Sequence, residues 1–373
     1  MNLSYWEQKT WLSDIDFAIV GSGIVGLSCA LSLRKKYQTA KIVVFEKGIL
    51  PSGASTKNAG FACFGSMSEI LDDLQTHTEE ELRQLVSNRV QGLQLLRENL
   101  GDVQIDYQQN GGYELFTDHD QDLFENCMSK LTYVNDLLKP VFFDQNGVFS
   151  LKKDPFLFEN TNKQVIFNHL EGQLDTGKMM SSLIKKCILN DIFILNSCEV
   201  TSFSSENGQV HFQLNDAISA KAKQLFIATN GFAKQFLDTD IQPARAQVLI
   251  TKPVKDLKVK GTFHLDRGYY YFRNIQDRIL FGGGRHLDFQ SEETTELGLT
   301  NLVQEKLEEI LRTTILPNIT FEIDTRWSGI MGVGSHKKPI LKEVEPNIYC
   351  GIRLGGMGVA IGSTLGKQLA DFV

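Results

Sequence analysis

Three glycines, Gly21, Gly23 and Gly26, stand in the spacing G-x-G-x-x-G, and an acidic residue, Glu46, follows twenty positions after the last. That spacing suits the holding of a dinucleotide. Gly21 permits a tight turn, Gly23 lets backbone approach a pyrophosphate, and Gly26 lets a helix pack closely on a strand. The pyrophosphate then rests on the free amides of Ile24 and Val25 at the helix start. Glu46 can accept hydrogen bonds from ribose hydroxyls, and its charge repels a 2′-phosphate. After Glu46 and Lys47 runs a stretch of small and polar residues ending at Gly60. There Ser55, Thr56 and Asn58 offer donors, while Ala59 and Gly60 let backbone lie against a flat ligand. A second chemistry gathers where Tyr269, Tyr270 and Tyr271 converge with Arg245, Arg273 and Arg285. Aromatic walls with a few placed cations suit a small anionic substrate, although packing alone would explain most of these residues singly. His286, beside Arg285, is the best candidate for a base if the substrate is an alcohol. Near the end, Arg353 precedes a glycine loop, Gly355-Gly356-Met357-Gly358, which opens a helix and aims its amides at negative charge.

These residues need particular elements to position them. Phe17 to Val20 is a short apolar run of the buried parallel-strand type, and Ile24, Leu27, Ser28 and Leu31 recur at helical period behind the glycines. Ile42 to Phe45 is a second strand that ends at Glu46. Ser66-x-x-Glu69 and Thr78-x-x-Glu81 are capping boxes, the second opening a helix that stops before Gly101. Asn110-Gly111-Gly112 leads into a strand, and a helix over 121–138 follows. From Val165 a helix and strands at 192–195, 199–201 and 224–231 form a further βαβ unit. Its Val200 and its Thr229-Asn230-Gly231 end either touch the dinucleotide or merely pack. Pro243 to Ile250 starts a β-rich stretch, 269–281 reads as a hairpin, and a helix spans 297–312.

The chain has 373 residues, enough for two domains with full cores, and its 42% hydrophobic and 22% charged residues are ordinary for a soluble protein. Net charge is −7 and the basic residues form only short pairs, which argues against nucleic acid as a partner. Six scattered cysteines without C-x-x-C spacing imply reduced, buried thiols and a cytoplasmic setting. The start, MNLSYWEQKTWLSD, lacks the pattern of a signal peptide, and no run is long enough for a membrane span. Tyr5, Trp6 and Trp11 are expected to pack onto the nucleotide domain.

The first glycine motif, SGASTKNAG and the C-terminal GIRLGGMGVAIGSTLGK together resemble the D-amino-acid-oxidase-like FAD-dependent oxidoreductases, over nearly the whole chain. The resemblance implies an α/β, two-domain flavoprotein. A Rossmann-like FAD-binding domain would be assembled from residues 1–86, 165–235 and 330–373, and a β-sheet-based substrate domain from 87–164 and 236–329. It implies that the first βαβ unit holds the ADP half of FAD, that Val200 lends backbone to the adenine, and that the C-terminal glycine loop faces the pyrimidine end of the flavin. Some relatives attach the flavin through a His in the small-residue run; Lys57-Asn58 stand here, so non-covalent FAD is expected. Arg353 lies where relatives pair an Arg with the substrate carboxylate, joined by Tyr271, Arg245 and Arg285 as further candidates. Met331 stands where glycine oxidase carries a carboxylate-binding Arg, which puts that specificity in doubt. The implied activity is oxidation of a small amine or amino acid by hydride transfer to flavin N5, with oxygen or another electron acceptor. A hydroxy-acid or polyol-phosphate dehydrogenase, or a non-catalytic FAD-binding protein, are the alternatives.

Overall fold

The computed structural model describes residues 3–143, 147–156 and 158–373. Its strands are β1 (Ile15–Val20), β2 (Ile42–Phe45), β3 (Phe61–Ala62), β4 (Gly112–Glu114), β5 (Phe149–Lys153), β6 (Gln164–Asn168), β7 (Gly172–Gln173), β8 (Phe193–Leu195), β9 (Val200–Glu206), β10 (Gln209–Leu214), β11 (Ile218–Ile227), β12 (Gln242–Thr251), β13 (Thr262–Leu265), β14 (Tyr270–Ile275), β15 (Arg278–Gly283), β16 (Ile323–Val333), β17 (Ile340–Glu345) and β18 (Ile348–Ile352). The helices are α1 (Tyr5–Glu7), α2 (Ile24–Lys36), α3 (Met67–Asp73), α4 (Glu79–Leu100), α5 (Gln121–Phe142), α6 (Thr176–Ile188), α7 (Asn301–Ile310) and α8 (Gly358–Ala370).

Two large sheets carry the architecture. The first runs β17-β18-β11-β1-β2-β8, with β10 and β9 continuing antiparallel from β11. Its central pairs are parallel, and Ala18, Ile19 and Ile42 to Val44 are fully buried, which is why these strands read as unbroken apolar runs. Glycines set its helix layer. A Cβ at Gly366 of α8 would sit 2.4 Å from the Val25 carbonyl oxygen, and one at Gly92 of α4 would sit 2.1 Å from that of Ala360. Helices α2, α8 and α4 therefore meet backbone to backbone. Both capping boxes form as expected, at Ser66 and Thr78.

The second sheet runs β16-β12-β15-β14-β13-β4-β6-β5. One face is an apolar core in which Phe263, Phe272 and Phe281 pack against Val303, Leu307 and Leu311. The other face bounds the site described below. The expected boundaries at 165 and 330 fall inside strands of this sheet, β6 and β16. Helix α4, most of which was expected in the substrate domain, packs on α8. Five cysteines are buried free thiols and Cys198 is half-buried. The aromatic N-terminus departs from expectation: Tyr5 and Trp6 are 65% and 68% exposed, because the three-residue α1 buries no side chain.

Candidate cofactor and substrate site

The turn after β1 is built as its glycines require. Gly21 has φ +102° and its amide donates to the Phe45 carbonyl at 2.8 Å. A Cβ at Gly26 would lie 2.0 Å from the Gly21 carbonyl oxygen, so no larger residue allows α2 to start there. Ser55 Oγ accepts from the Ile24 amide at 3.0 Å, which docks the small-residue loop on the start of α2. Glu46 is buried and draws two loops together. Its Oε2 accepts from Ser22 Oγ at 2.7 Å, and its Oε1 from the Gly48 amide at 2.9 Å and Ser52 Oγ at 2.8 Å. Ser22 and Ser52 are partners that the spacing motif gave no reason to single out.

Two expected donors are consumed locally. Thr56 Oγ1 donates to the Pro51 carbonyl at 2.6 Å, and Asn58 Nδ2 to the Ser55 and Ala54 carbonyls at 2.8 and 3.2 Å. These residues shape the loop and do not offer their donors to a ligand. Asn58 Oδ1 in turn accepts from the Gly60 amide and Thr176 Oγ1.

A cavity of about 570 Å³ joins these features. Its lining includes Gly21, Gly23, Ile24, Val25, Glu46, Lys47, Ser55, Asn58, Ala59, Val200, Thr229, Asn230 and Gly355 to Gly358. Gly26, Thr56, Gly60 and Gly231 stand behind that lining: at Gly231 a Cβ would lie 2.3 Å from the Met331 carbonyl oxygen. Asn230 Oδ1 accepts from the amides of Arg353 and Leu354 at 3.1 and 3.2 Å, so the second βαβ end holds the C-terminal glycine loop.

At the other wall, cross-strand register lays a row over the second sheet: Trp327, Val248, Gly282, Tyr271, His264 and Glu114 face each other in turn. A Cβ at Gly282 would lie 2.8 Å from the Tyr271 ring, so glycine there lets the ring lie flat on the sheet. Phe61 stands edge-on to Tyr271 and His264, with centroids 5.6 and 5.3 Å away. Burial pushes the Tyr271 phenol up to about 12, so it remains a donor. Met331 lines the cavity and brings no charge to it.

Of the expected arginines only Arg285 lines the cavity. Its guanidinium lies 4.7 Å from the Phe289 ring centroid and makes no hydrogen bond or ion pair among the described residues. Arg353 is committed elsewhere. Its Nε and Nη2 donate to the Lys338 carbonyl at 2.9 and 2.7 Å, and its Nη1 meets Asp240 Oδ2 at 2.5 Å. Arg245 is held by Glu292 at 2.8 Å, where Gln247 and Thr300 share the same carboxylate. Both are structural pairs away from the cavity lining, which removes them as substrate contacts. Arg273 is buried behind Gly60, and burial brings its pKa down to about 10. His286 also lies outside the lining, 3.2 Å from Asp266 and flanked by Tyr269 and Tyr270, with burial lowering its pKa. It is not placed to act as a base on a ligand in the cavity.

The cavity also holds a group that spacing did not single out. His264 is 5% exposed and lines the cavity, with Nδ1 3.9 Å from Glu69 and Nε2 3.7 Å from Glu171. Burial alone would lower its pKa, but Glu171, Glu69 and Glu114 outweigh burial and raise it to about 8. Burial raises Glu114 to about 7, against hydrogen bonds from Ser68. The only sequence signal was a histidine at an inward position of the apolar strand β13.

The donor set fits FAD. The cavity runs from Glu46 and Val200 past two helix starts to the aromatic wall, and the N-cap residues of both helices, Gly23 and Met357, supply no side-chain cap. The Ile24 amide, expected to be free, is taken by Ser55 Oγ. Thr229 Oγ1 is buried there without a hydrogen-bond partner among the described residues, and a Cβ at Gly355 would meet none of their atoms within 4 Å. A long ligand with a pyrophosphate and polar ring edges would satisfy these groups.

The model of the FAD dependent oxidoreductase family matches residues 16–372, and the chain belongs to that family of enzymes. It is 22% identical over 386 residues to a probable oxidoreductase, OrdL, of Haemophilus influenzae, covering 98% of this chain and 84% of the relative. It is 24% identical over 381 residues to the gamma-glutamylputrescine oxidoreductase of Escherichia coli K12, covering 96% and 83%. Among solved structures, L-proline dehydrogenase from P. horikoshii superposes with a TM-score of 0.73 at 18% identity, covering 96% and 93%. Glycine oxidase from Bacillus cereus does so with 0.71 at 18%, covering 96% and 94%. The fold is thus the α/β, two-sheet flavoprotein architecture that the motifs implied.

Proposed function

We propose that this member of the FAD-dependent oxidoreductase family binds FAD non-covalently and oxidises the C–N bond of a small amine or amino acid. Glu46 and the α2 start would hold the ADP half with Val200 at its adenine, Thr229 would add a hydroxyl along the way, and the α8 start with Gly355 to Gly358 would hold the pyrimidine edge. The bound flavin supplies the hydride acceptor, and the imine product is hydrolysed by water. The protein orients the substrate against the aromatic wall and excludes water from it.

One observation carries this reading. The cavity lining presents Tyr271, Phe61 and Arg285, whose guanidinium makes no hydrogen bond or ion pair among the described residues. Relatives named for γ-glutamylputrescine, L-proline and glycine support the same class. Electrons pass onward to oxygen or another acceptor. Purified protein should be yellow and should release free FAD on acid treatment. Anaerobic bleaching of the flavin by a panel of amines, amino acids and hydroxy acids tests the substrate class. Bleaching by hydroxy acids alone would overturn it.

A further inference from the structure

The small-residue run has a front and a back. Ala59 and Phe61 line the cavity, and Gly60, with φ +71°, stands behind that lining. At its back is Arg273 of β14: a Cβ on the glycine would lie 3.1 Å from Arg273 Nη2. Strand alternation puts Arg273 on the face that carries Tyr271, two residues earlier. Its cross-strand partner in β15, Leu280, packs with Ala59, Phe61 and Tyr271. The guanidinium thus sits directly behind the backbone that forms the wall. It is 5% exposed, its Nε is buried without a partner, and it makes no hydrogen bond or ion pair among the described residues. Two carboxylates face it, and both are engaged elsewhere. Asp175 Oδ1 accepts from the Lys178 amide at 2.8 Å at the start of α6, and Asp106 pairs with Lys178 Nζ at 3.3 Å. Burial draws the Arg273 pKa down to about 10, which leaves it charged at neutral pH. Burying a charge without a bonded partner is expensive, and the packing around Gly60 does not require one.

We propose that Arg273 is a fixed counter-charge that makes the site hold reduced flavin more tightly than oxidised flavin. The proposal rests on FAD as the cofactor and is independent of whether the substrate is an amine or a hydroxy acid. In either case a hydride, one proton with two electrons, leaves a substrate carbon and enters a neutral ring at N5. A C–H bond breaks, an N–H bond forms, the substrate is oxidised by two electrons, and the ring gains one negative charge. A cation fixed before the hydride arrives needs no reorganisation when that charge appears. At about 10 Å, in surroundings of intermediate polarity, one unit charge alters the equilibrium of another by about tenfold.

The test is the midpoint potential of the flavin in the FAD-loaded full chain, with melting temperature and the Kd of oxidised FAD measured beside it. Arg273→Met and Arg273→Gln should keep the wild-type Kd for oxidised FAD within about threefold. Each should hold the reduced form about tenfold less tightly relative to the oxidised, a fall of about 30 mV for a two-electron couple. Both should melt no lower than wild type, because an unpaired buried charge has been removed. Arg273→Lys keeps the charge and should keep the potential. An unchanged potential in a neutral variant that retains FAD overturns the proposal and leaves the FAD reading intact. An equal fall in Arg273→Lys also overturns it, by assigning the effect to shape. Loss of flavin or of folding in both neutral variants, with Arg273→Lys normal, assigns the guanidinium to holding the Gly60 turn and overturns it too. If the wild-type chain takes up no flavin at all, the FAD reading falls and this proposal falls with it.

Discussion

Arg285 gives the sharpest test of how the cavity recognises a substrate. Its guanidinium lines the cavity beside the Phe289 ring and makes no hydrogen bond among the described residues. A carboxylate ligand would find a cation that needs no other bond broken first. A charge-assisted hydrogen bond is worth about 1.5–3 kcal/mol, which converts to roughly a 10- to 150-fold change in Kd. Arg285→Leu should therefore raise the Kd of a carboxylate ligand by that factor and leave FAD content unchanged. The assay is anaerobic titration with a non-oxidisable carboxylate, followed through the flavin absorbance. An amine of similar size without a carboxylate should bind both proteins alike. Arg353→Leu supplies the contrast: it strips bonds from the Lys338 carbonyl and Asp240, so it should lower the melting temperature with little effect on Kd. Tenfold weaker binding in Arg353→Leu, with Arg285→Leu within twofold of wild type, would refute the assignment and restore Arg353.

Other changes probe the cofactor cradle and the buried cluster. Glu46→Gln should weaken FAD binding by about 1.5–3 kcal/mol in titration of the apoprotein, because the amide replaces a carboxylate that orders both loops. Gly26→Ala should fail to retain flavin at all, since its Cβ would lie 2.0 Å from a backbone oxygen that cannot yield without moving the turn; a yellow protein would contradict this. Glu114 has a carboxyl raised from 4.5 to about 7, so the folded state binds its proton more tightly than the unfolded state. The stability this provides is full below 4.5 and is lost as pH rises through 7, about 3 kcal/mol in all. Glu114→Gln should flatten the fall in melting temperature between about pH 4.5 and pH 7.

Local chemistry was readable from the chain and partnership was not. Gly21, Gly26 and the two capping boxes act on residues within a few positions, so spacing alone located them. Arg353, Arg245 and Arg285 looked alike because each follows or begins a strand. What separates them is Asp240, 113 residues before Arg353, and Glu292, 47 residues after Arg245. The acid cluster escaped for the same reason. Glu69, Glu114, Glu171 and His264 come from four separate elements that meet through cross-strand register and helix packing, and periodicity within one strand does not report register between strands. Thr56 and Asn58 failed differently. A polar side chain in a tight loop can bond its own backbone as readily as a ligand, and both did.

The weaving of the chain between its two sheets has a consequence for how the protein is made. β1 and β2 can pair early, yet β11 waits for its neighbour β18, more than a hundred residues later, and strands β12 to β16 between them build the other sheet. Long-range parallel pairing of this kind is slow, because loop closure must precede any reward. While β11 waits, its apolar edge is open to the wrong partner. During synthesis the last wall of the cofactor cradle, Gly355 to Gly358, leaves the ribosome after the walls that precede it in the chain, so the cradle closes only after both sheets have most of their strands. Protein expressed faster than its flavin supply should therefore accumulate as an incompletely closed form that is prone to proteolysis ahead of β18.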